Sequence, residues 1–200
     1  MDPKATGKYH HGDLRRALLE KAIAAIDEHG PRRFSLRAVT QELNVSHAAA
    51  YRHFRNRDAL LQAVSIEGMQ RLTQALVDAA RISSDPSDTL RRCALAYVEF
   101  GVNNPGLYQV MFSEPTQQHT ETRSAADSVM AMTAQILTRA GEQGAVRPRN
   151  ALEQGRAAWA MLHGLVDLEL RKQLGDRSPD EILEHASRLL EIFFEGLFND

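Results

Sequence analysis

Residues 35–54 place two helix starts eleven positions apart, with room for only a tight turn between them. Ser35 is a good N-cap, because its hydroxyl can accept from the free amides of the first helical turn. Leu36, Val39 and Leu43 follow at helical spacing and give one apolar side. Asn44 tolerates the left-handed backbone that a tight turn needs, and Val45 can plug the angle between two helices. Ser46 caps a second helix that the pattern carries to about Phe54. Ala50 and Phe54 face inward, which leaves His47, Ala48, Ala49, Tyr51 and Arg52 on other faces. A short helix with a thin apolar side and hydrogen-bonding side chains suits a DNA major groove. The alternative is an ordinary helical hairpin within a core.

The flanks complete the unit. Asp13 opens a helix to about His29, with Leu14, Leu18, Ala22, Ala25 and Ile26 as its stripe and Gly30-Pro31 as its stop. After Phe54, Asn56 is a cap and Asp58 complements the dipole of a helix reaching about Ile82. Three helices in 54 residues make the three-helix form of the helix-turn-helix domain. Charge agrees with this. Residues 1–60 hold eleven Lys and Arg against seven acids, whereas residues 61–200 are at −6 within a chain of net charge −2. A basic module that faces phosphate, on a body with another task, fits that asymmetry, and so do ordinary solvated faces. Lys4 and Lys8 lie on a loose arm ahead of the first helix.

Beyond residue 61 the pattern stays helical, with breaks at 83–87, 103–106, 113–121 and 144–149. Leu107 to Phe112 is a short apolar stretch, a helix is expected over about 122–143, and two more over 150–174 and 179–198. The last helix is apolar on more than one stripe, which points to a second face packed on another chain. No alternating strand pattern of useful length is present. The expected fold class is all-α: a helix-turn-helix domain over 1–60 and an effector-binding and dimerisation domain over 61–200.

The chain resembles a TetR-type transcriptional regulator. The resemblance rests on Ile26-Asp27-Glu28-His29-Gly30, Phe34-Ser35-Leu36-Arg37-Ala38-Val39, Leu43-Asn44-Val45-Ser46, Tyr51-Arg52-His53-Phe54 and Asn56-Arg57-Asp58-Ala59-Leu60-Leu61. Tyr9-His10-His11-Gly12-Asp13, Asn104-Pro105-Gly106-Leu107-Tyr108 and Trp159…His163-Gly164 are similar to the subgroup whose C-terminal domain carries a Trp…His-Gly signature. The resemblance implies a homodimer on a palindromic double-stranded DNA operator, responding to a small-molecule effector of unknown identity, most often as a repressor. By position it implies phosphate contacts for Tyr51 and Arg57, with Ser35, Arg37 and Ser46 as further backbone candidates. His47, Ala48, Ala49 and Arg52 fall nearest the base edges. Ala50 stands where many members carry a larger aliphatic residue.

Tyr97, Tyr108, Met111, Phe112, Met130, Trp159 and His163 are candidates for an effector pocket, although such a set also builds ordinary cores. Leu165, Leu168, Leu183, Leu190 and Phe194 are candidates for the dimer interface. His163 and Asp167 are four apart, an acceptable metal-ligand spacing, as is the His10-His11 pair near Asp13. Neither has a ligand cluster around it, so no metal and no cofactor are expected. There is no Gly-rich phosphate loop, paired cysteines or nucleophile elbow, and no catalytic residue is expected. The lone Cys93, the polar N-terminus and the lack of an eighteen-residue apolar run lead to a cytoplasmic expectation, away from membranes. Two alternatives remain: a DNA-binding regulator whose C-terminal domain only dimerises or binds a protein, and a small-molecule-binding or catalytic helical protein with an incidental N-terminal likeness.

Overall fold

The computed structural model describes residues 11–113, 116, 120–147 and 150–197. Lys4, Lys8 and His10 lie outside them. The described residues are helices and their connections. These are α1 (His11–His29), α2 (Leu36–Glu42), α3 (His47–Tyr51), α4 (Arg57–Ala80), α5 (Pro86–Asn103), α6 (Pro105–Met111), α7 (Thr120–Glu142), α8 (Ala151–Leu170) and α9 (Pro179–Leu197). None of them is long and apolar enough to cross a membrane.

Helix starts follow their caps. The side chains of Ser35, Ser46, Asn56 and Asp85 accept from the amides of Ala38 (3.1 Å), Ala49 (3.2 Å), Ala59 (2.8 Å) and Asp88 (2.8 Å). α5 therefore starts at Pro86, two residues earlier than the apolar pattern alone suggests, because Asp85 caps it and proline suits the first turn. α3 ends at Tyr51 rather than running to Phe54. The His53 amide bonds back to the Ala50 carbonyl at 2.9 Å, which tightens the last turn and swings Phe54 into the core. α8 likewise stops at Leu170, short of 174. Lys172 is left-handed at φ 57°, and the Gln173 amide bonds back to the Leu168 carbonyl, closing the helix end.

The apolar stretch at 107–112 is helical in α6, and α6 has an unusual cap. Asn104 makes no side-chain cap there; its amide nitrogen donates to the Phe100 carbonyl instead. The acceptor comes from α1, where Asp27 Oδ1 takes the Leu107 amide at 2.9 Å. Within the segment expected as a loop over 113–121, the buried Thr116 hydroxyl donates to the Val110 carbonyl at 2.6 Å.

α1, α2 and α3 pack around Leu18, Ile26, Val39 and Ala50. α4 leaves this group and runs on between α5, α6 and α7, while α5 packs against α4, α7, α8 and α9. One continuous apolar core extends from Leu14 to Phe194.

Candidate functional site

The N-terminal face is built on the tight turn between α2 and α3. Asn44 takes φ 53°, the conformation its short polar side chain tolerates. Ala50 is fully buried on the inner face of α3, while Ser35, Arg37, Ser46, His47, Ala48, Tyr51 and Arg52 are exposed and Ala49 is half-buried. Tyr51 is 52% exposed. Arg37 and Arg52 take no ion pair among the described residues.

Arg57 is placed differently from Arg37 and Arg52. Its Nε donates to the Phe34 carbonyl at 3.3 Å and its Nη2 to the Pro31 carbonyl at 2.6 Å, with the guanidinium 5.8 Å over the Phe34 ring. It ties the loop between α1 and α2 to the start of α4. Its charge still lies on the exposed side of that loop.

A residue that the periodicity did not single out organises His47. Thr40 is fully buried, and its hydroxyl lies 2.8 Å from the Arg37 carbonyl and 3.2 Å from His47 Nδ1. A hydroxyl has one proton. The carbonyl can only accept it, so His47 Nδ1 carries the proton that Thr40 accepts. In the neutral ring Nε2 is then the acceptor, on the exposed side of α3. Nothing in the local spacing signals a contact across seven residues and a turn. Thr40→Val keeps the shape and removes the acceptor. Affinity for the operator is expected to fall by about 1 kcal/mol, with altered base preference at one position, measured by titration against single-base operator variants.

The second feature is a cavity of about 890 Å³ among α4, α5, α7, α8 and α9. Of the pocket candidates, Tyr97, Phe112, Met130, Trp159 and His163 line it. Tyr108 and Met111 do not; both are buried behind the wall, at 3% and 0% exposure. Leu72, Leu137 and Phe193 add wall surface that helical periodicity could not separate from core.

One end of the cavity is polar. Tyr108 Oη lies 2.6 Å from His163 Nδ1 and 3.1 Å from Tyr97 Oη, which is itself 3.3 Å from the imidazole. The imidazole stacks between Tyr108 and Trp159, at 5.5 and 5.2 Å between centroids, with Phe112 edge-on at 4.6 Å. Burial pushes the Tyr97 phenol up to about 12, the Cys93 thiol up to about 11, and the Tyr108 phenol far up. Burial also lowers the His163 pKa, against a smaller opposing pull from Asp167. The cluster is therefore neutral near pH 7. Asp167 pairs with Arg171 at 2.8 Å, and among the described residues no cluster of three or more His, Cys, Asp or Glu could hold a metal ion.

The residues expected at a dimer interface separate into two groups. Leu165, Leu190 and Phe194 are buried within the protomer, at 6%, 2% and 3% exposure, and Leu190 and Phe194 line the cavity. They belong to its own core, because α8 and α9 each carry apolar residues on two faces and these are the inner ones. Leu168 is 37% exposed and Leu183 half-buried.

Residues 90–192 match the family model described as "Tetracyclin repressor-like, C-terminal domain", and residues 18–64 match that of "Bacterial regulatory proteins, tetR family". The chain is 26% identical over 186 residues to YobS of Bacillus subtilis (strain 168), an uncharacterised HTH-type transcriptional regulator, covering 93% of each. It is similar to the structure of a protein with unknown function from Rhodococcus sp. RHA1, with 33% identity and a TM-score of 0.81, over 96% of this chain and 100% of that one. It is also similar to PfmR of Thermus thermophilus, a TetR family transcriptional regulator, with 25% identity and a TM-score of 0.66, over 86% and 95%.

Proposed function

The chain belongs to the TetR family of bacterial regulatory proteins and is a DNA-binding transcriptional regulator, and we propose that it is a homodimeric repressor released from a palindromic operator by a small-molecule effector. It works by binding rather than by catalysis, in the cytoplasm where its DNA is. Residues 1–60 form the DNA-reading unit and residues 61–200 the effector-binding and dimerising unit. Arg37, Tyr51 and Arg52 meet phosphate or base edges, with Ser35 and Ser46 at the backbone. His47, Ala48 and Ala49 face the groove, the alanines offering methyl contacts to thymine. Two α3 helices of a dimer enter successive major grooves about 34–36 Å apart. Arg57 acts first by holding the α1–α2 loop on α4. The outer faces of α8 and α9, including Leu168 and Leu183, pair with the second copy.

One observation carries the ligand-responsive part. His163 on the cavity wall bonds Tyr108 of α6, and the amide of the preceding residue, Leu107, donates to Asp27 of α1. A molecule that reorients His163 thus acts on a helix seated on the DNA-binding domain. It can shift the population only by the difference in its affinity for the two states.

Selection of bound genomic fragments with purified protein should return a palindrome, with binding that weakens steeply as salt rises. Arg52→Ala then separates two roles. Loss of about 1–3 kcal/mol at one base position assigns Arg52 to direct readout, whereas a uniform loss with a shallower salt slope assigns it to phosphate. Absence of any salt-dependent palindrome binding, or a monomer by sedimentation at micromolar concentration, overturns the reading.

A further inference from the structure

The hydrogen-bond arithmetic of the polar end defines what the cavity accepts. Tyr97, Tyr108 and His163 Nδ1 form a closed triangle of heavy atoms, and both phenols are buried. With the imidazole proton on Nδ1, three protons would share two oxygens, and the Tyr97 hydroxyl proton would have no acceptor in a site where that is costly. With the proton on Nε2, Tyr97 donates to Tyr108, and Tyr108 donates to Nδ1 along the shortest edge of the triangle. The second arrangement leaves no proton of the triangle unplaced.

That leaves the Nε2–H of His163 with no acceptor among the described residues, on a residue that lines the cavity. Other polar groups of the wall are already committed. The Thr133 hydroxyl donates to the Val129 carbonyl at 3.1 Å, and the Cys93 thiol faces the Leu76 carbonyl at 3.6 Å. The charged wall residues, Asp127 and Arg156, are exposed, and Arg156 pairs with Glu153 at 2.6 Å. Met69, Leu72, Val129, Leu137 and Phe194 supply a deep surface with no charge to meet one.

We propose that the effector is an uncharged, largely hydrocarbon molecule carrying a carbonyl oxygen, which His163 receives through Nε2–H while the aliphatic body fills the cavity. The proposal rests on the reading of this cavity as the effector site. A ligand anion in the deep part would find no counter-charge beside it, since Arg156 is exposed and paired with Glu153. A hydrocarbon without an acceptor would leave the Nε2–H unpaired after displacing its water. The anchor also explains how binding is sensed, since the other nitrogen of the same ring is bonded to α6.

Trp159 is the only tryptophan of the chain and stacks on His163, so its fluorescence reports occupancy directly. Three probes separate the outcomes: 2-undecanone, its methylene isostere 2-methyl-1-undecene, and undecanoate. The ketone is expected to bind about tenfold tighter than the alkene, the difference made by one hydrogen bond in a dry site. His163→Phe should bring the two to equal affinity while still binding the alkene. The paired change Tyr97→Phe with Tyr108→Phe, which keeps the imidazole but removes both hydroxyls that can donate to Nδ1, frees its tautomer and should reduce the ketone preference, and this second variant stands if the first fails to fold. Equal affinities in the wild type overturn the proposal, as do a ketone preference that survives both variants and tighter binding of undecanoate than of ketone. In those cases probe binding itself still supports the cavity as an effector site. If none of the three probes changes the Trp159 signal, the effector-site reading falls and the proposal with it.

Discussion

His185→Leu is expected to destabilise the protein by about 3–5 kcal/mol, because it strands a buried carboxylate. The Glu169 side chain on α8 has no solvent exposure, and its Oε1 lies 2.6 Å from His185 Nδ1 on α9. Arg177 lies 3.5 Å from the other carboxylate oxygen, and its guanidinium also donates to the Leu174 carbonyl. Removing the imidazole leaves one long contact to stabilise a charge taken fully out of water. Glu169→Gln should cost less, about 1–2 kcal/mol, since a neutral amide can still accept from the imidazole. The pair Glu169→Leu with His185→Leu should recover most of the loss, as burying apolar groups of similar size carries no desolvation penalty. Urea unfolding of the four proteins, followed by helical circular dichroism, gives the comparison. Equal stability of His185→Leu and wild type would show that Glu169 is not held by this contact. Because this staple joins the two helices proposed to pair with a second copy, the single variants should also raise the concentration needed for operator binding.

Gly106→Val is the second large effect, with an expected loss of about 1–3 kcal/mol or more and a displaced α6. A Cβ at Gly106 would sit 2.4 Å from the Ile26 carbonyl oxygen and 2.8 Å from Asp27 Cα. Those atoms are the backbone of α1, so neither side can yield without separating the helices. The same movement would break the Asp27–Leu107 cap. Gly68→Ala is the informative contrast. Its Cβ would also be close, 2.6 Å from Met111 Cγ and Sδ, but an unbranched thioether can rotate away. Gly106→Val should therefore lower the unfolding midpoint more than Gly68→Ala. It should also weaken operator affinity in the absence of effector, if α6 seats the DNA-binding domain. A Gly106 variant as stable as wild type would mean that α6 is not clamped on α1.

Much of this protein is legible along the chain because its signals are local. The Ser35, Ser46 and Asn56 caps satisfy amides three residues away, and the left-handed Asn44 acts within its own turn. Those four residues place the helix-turn-helix unit without reference to anything distant. The cavity was legible in part, through Tyr97, Phe112, Met130, Trp159 and His163. Tyr108 and Met111 have the same chemistry and spacing, yet lie one layer deeper. The proposed division at residue 60 falls inside α4, and the buried core runs past it without interruption.

By itself the sequence determined the helical class, the caps and turn of the DNA-reading unit, its basic charge and the family likeness, since all depend on neighbours within a few residues. Only the tertiary structure decided the contacts that cross long intervals. It put Thr40 under His47, Arg57 on the Pro31 and Phe34 carbonyls, Asp27 at the start of α6 and Tyr108 on His163. It also chose which faces of α8 and α9 turn inward, so that Leu165, Leu190 and Phe194 became core while Leu168 stayed out. Periodicity counts the apolar faces of a helix. Which neighbour covers each face depends on how distant helices pack, and a helix with two apolar faces is compatible with either choice.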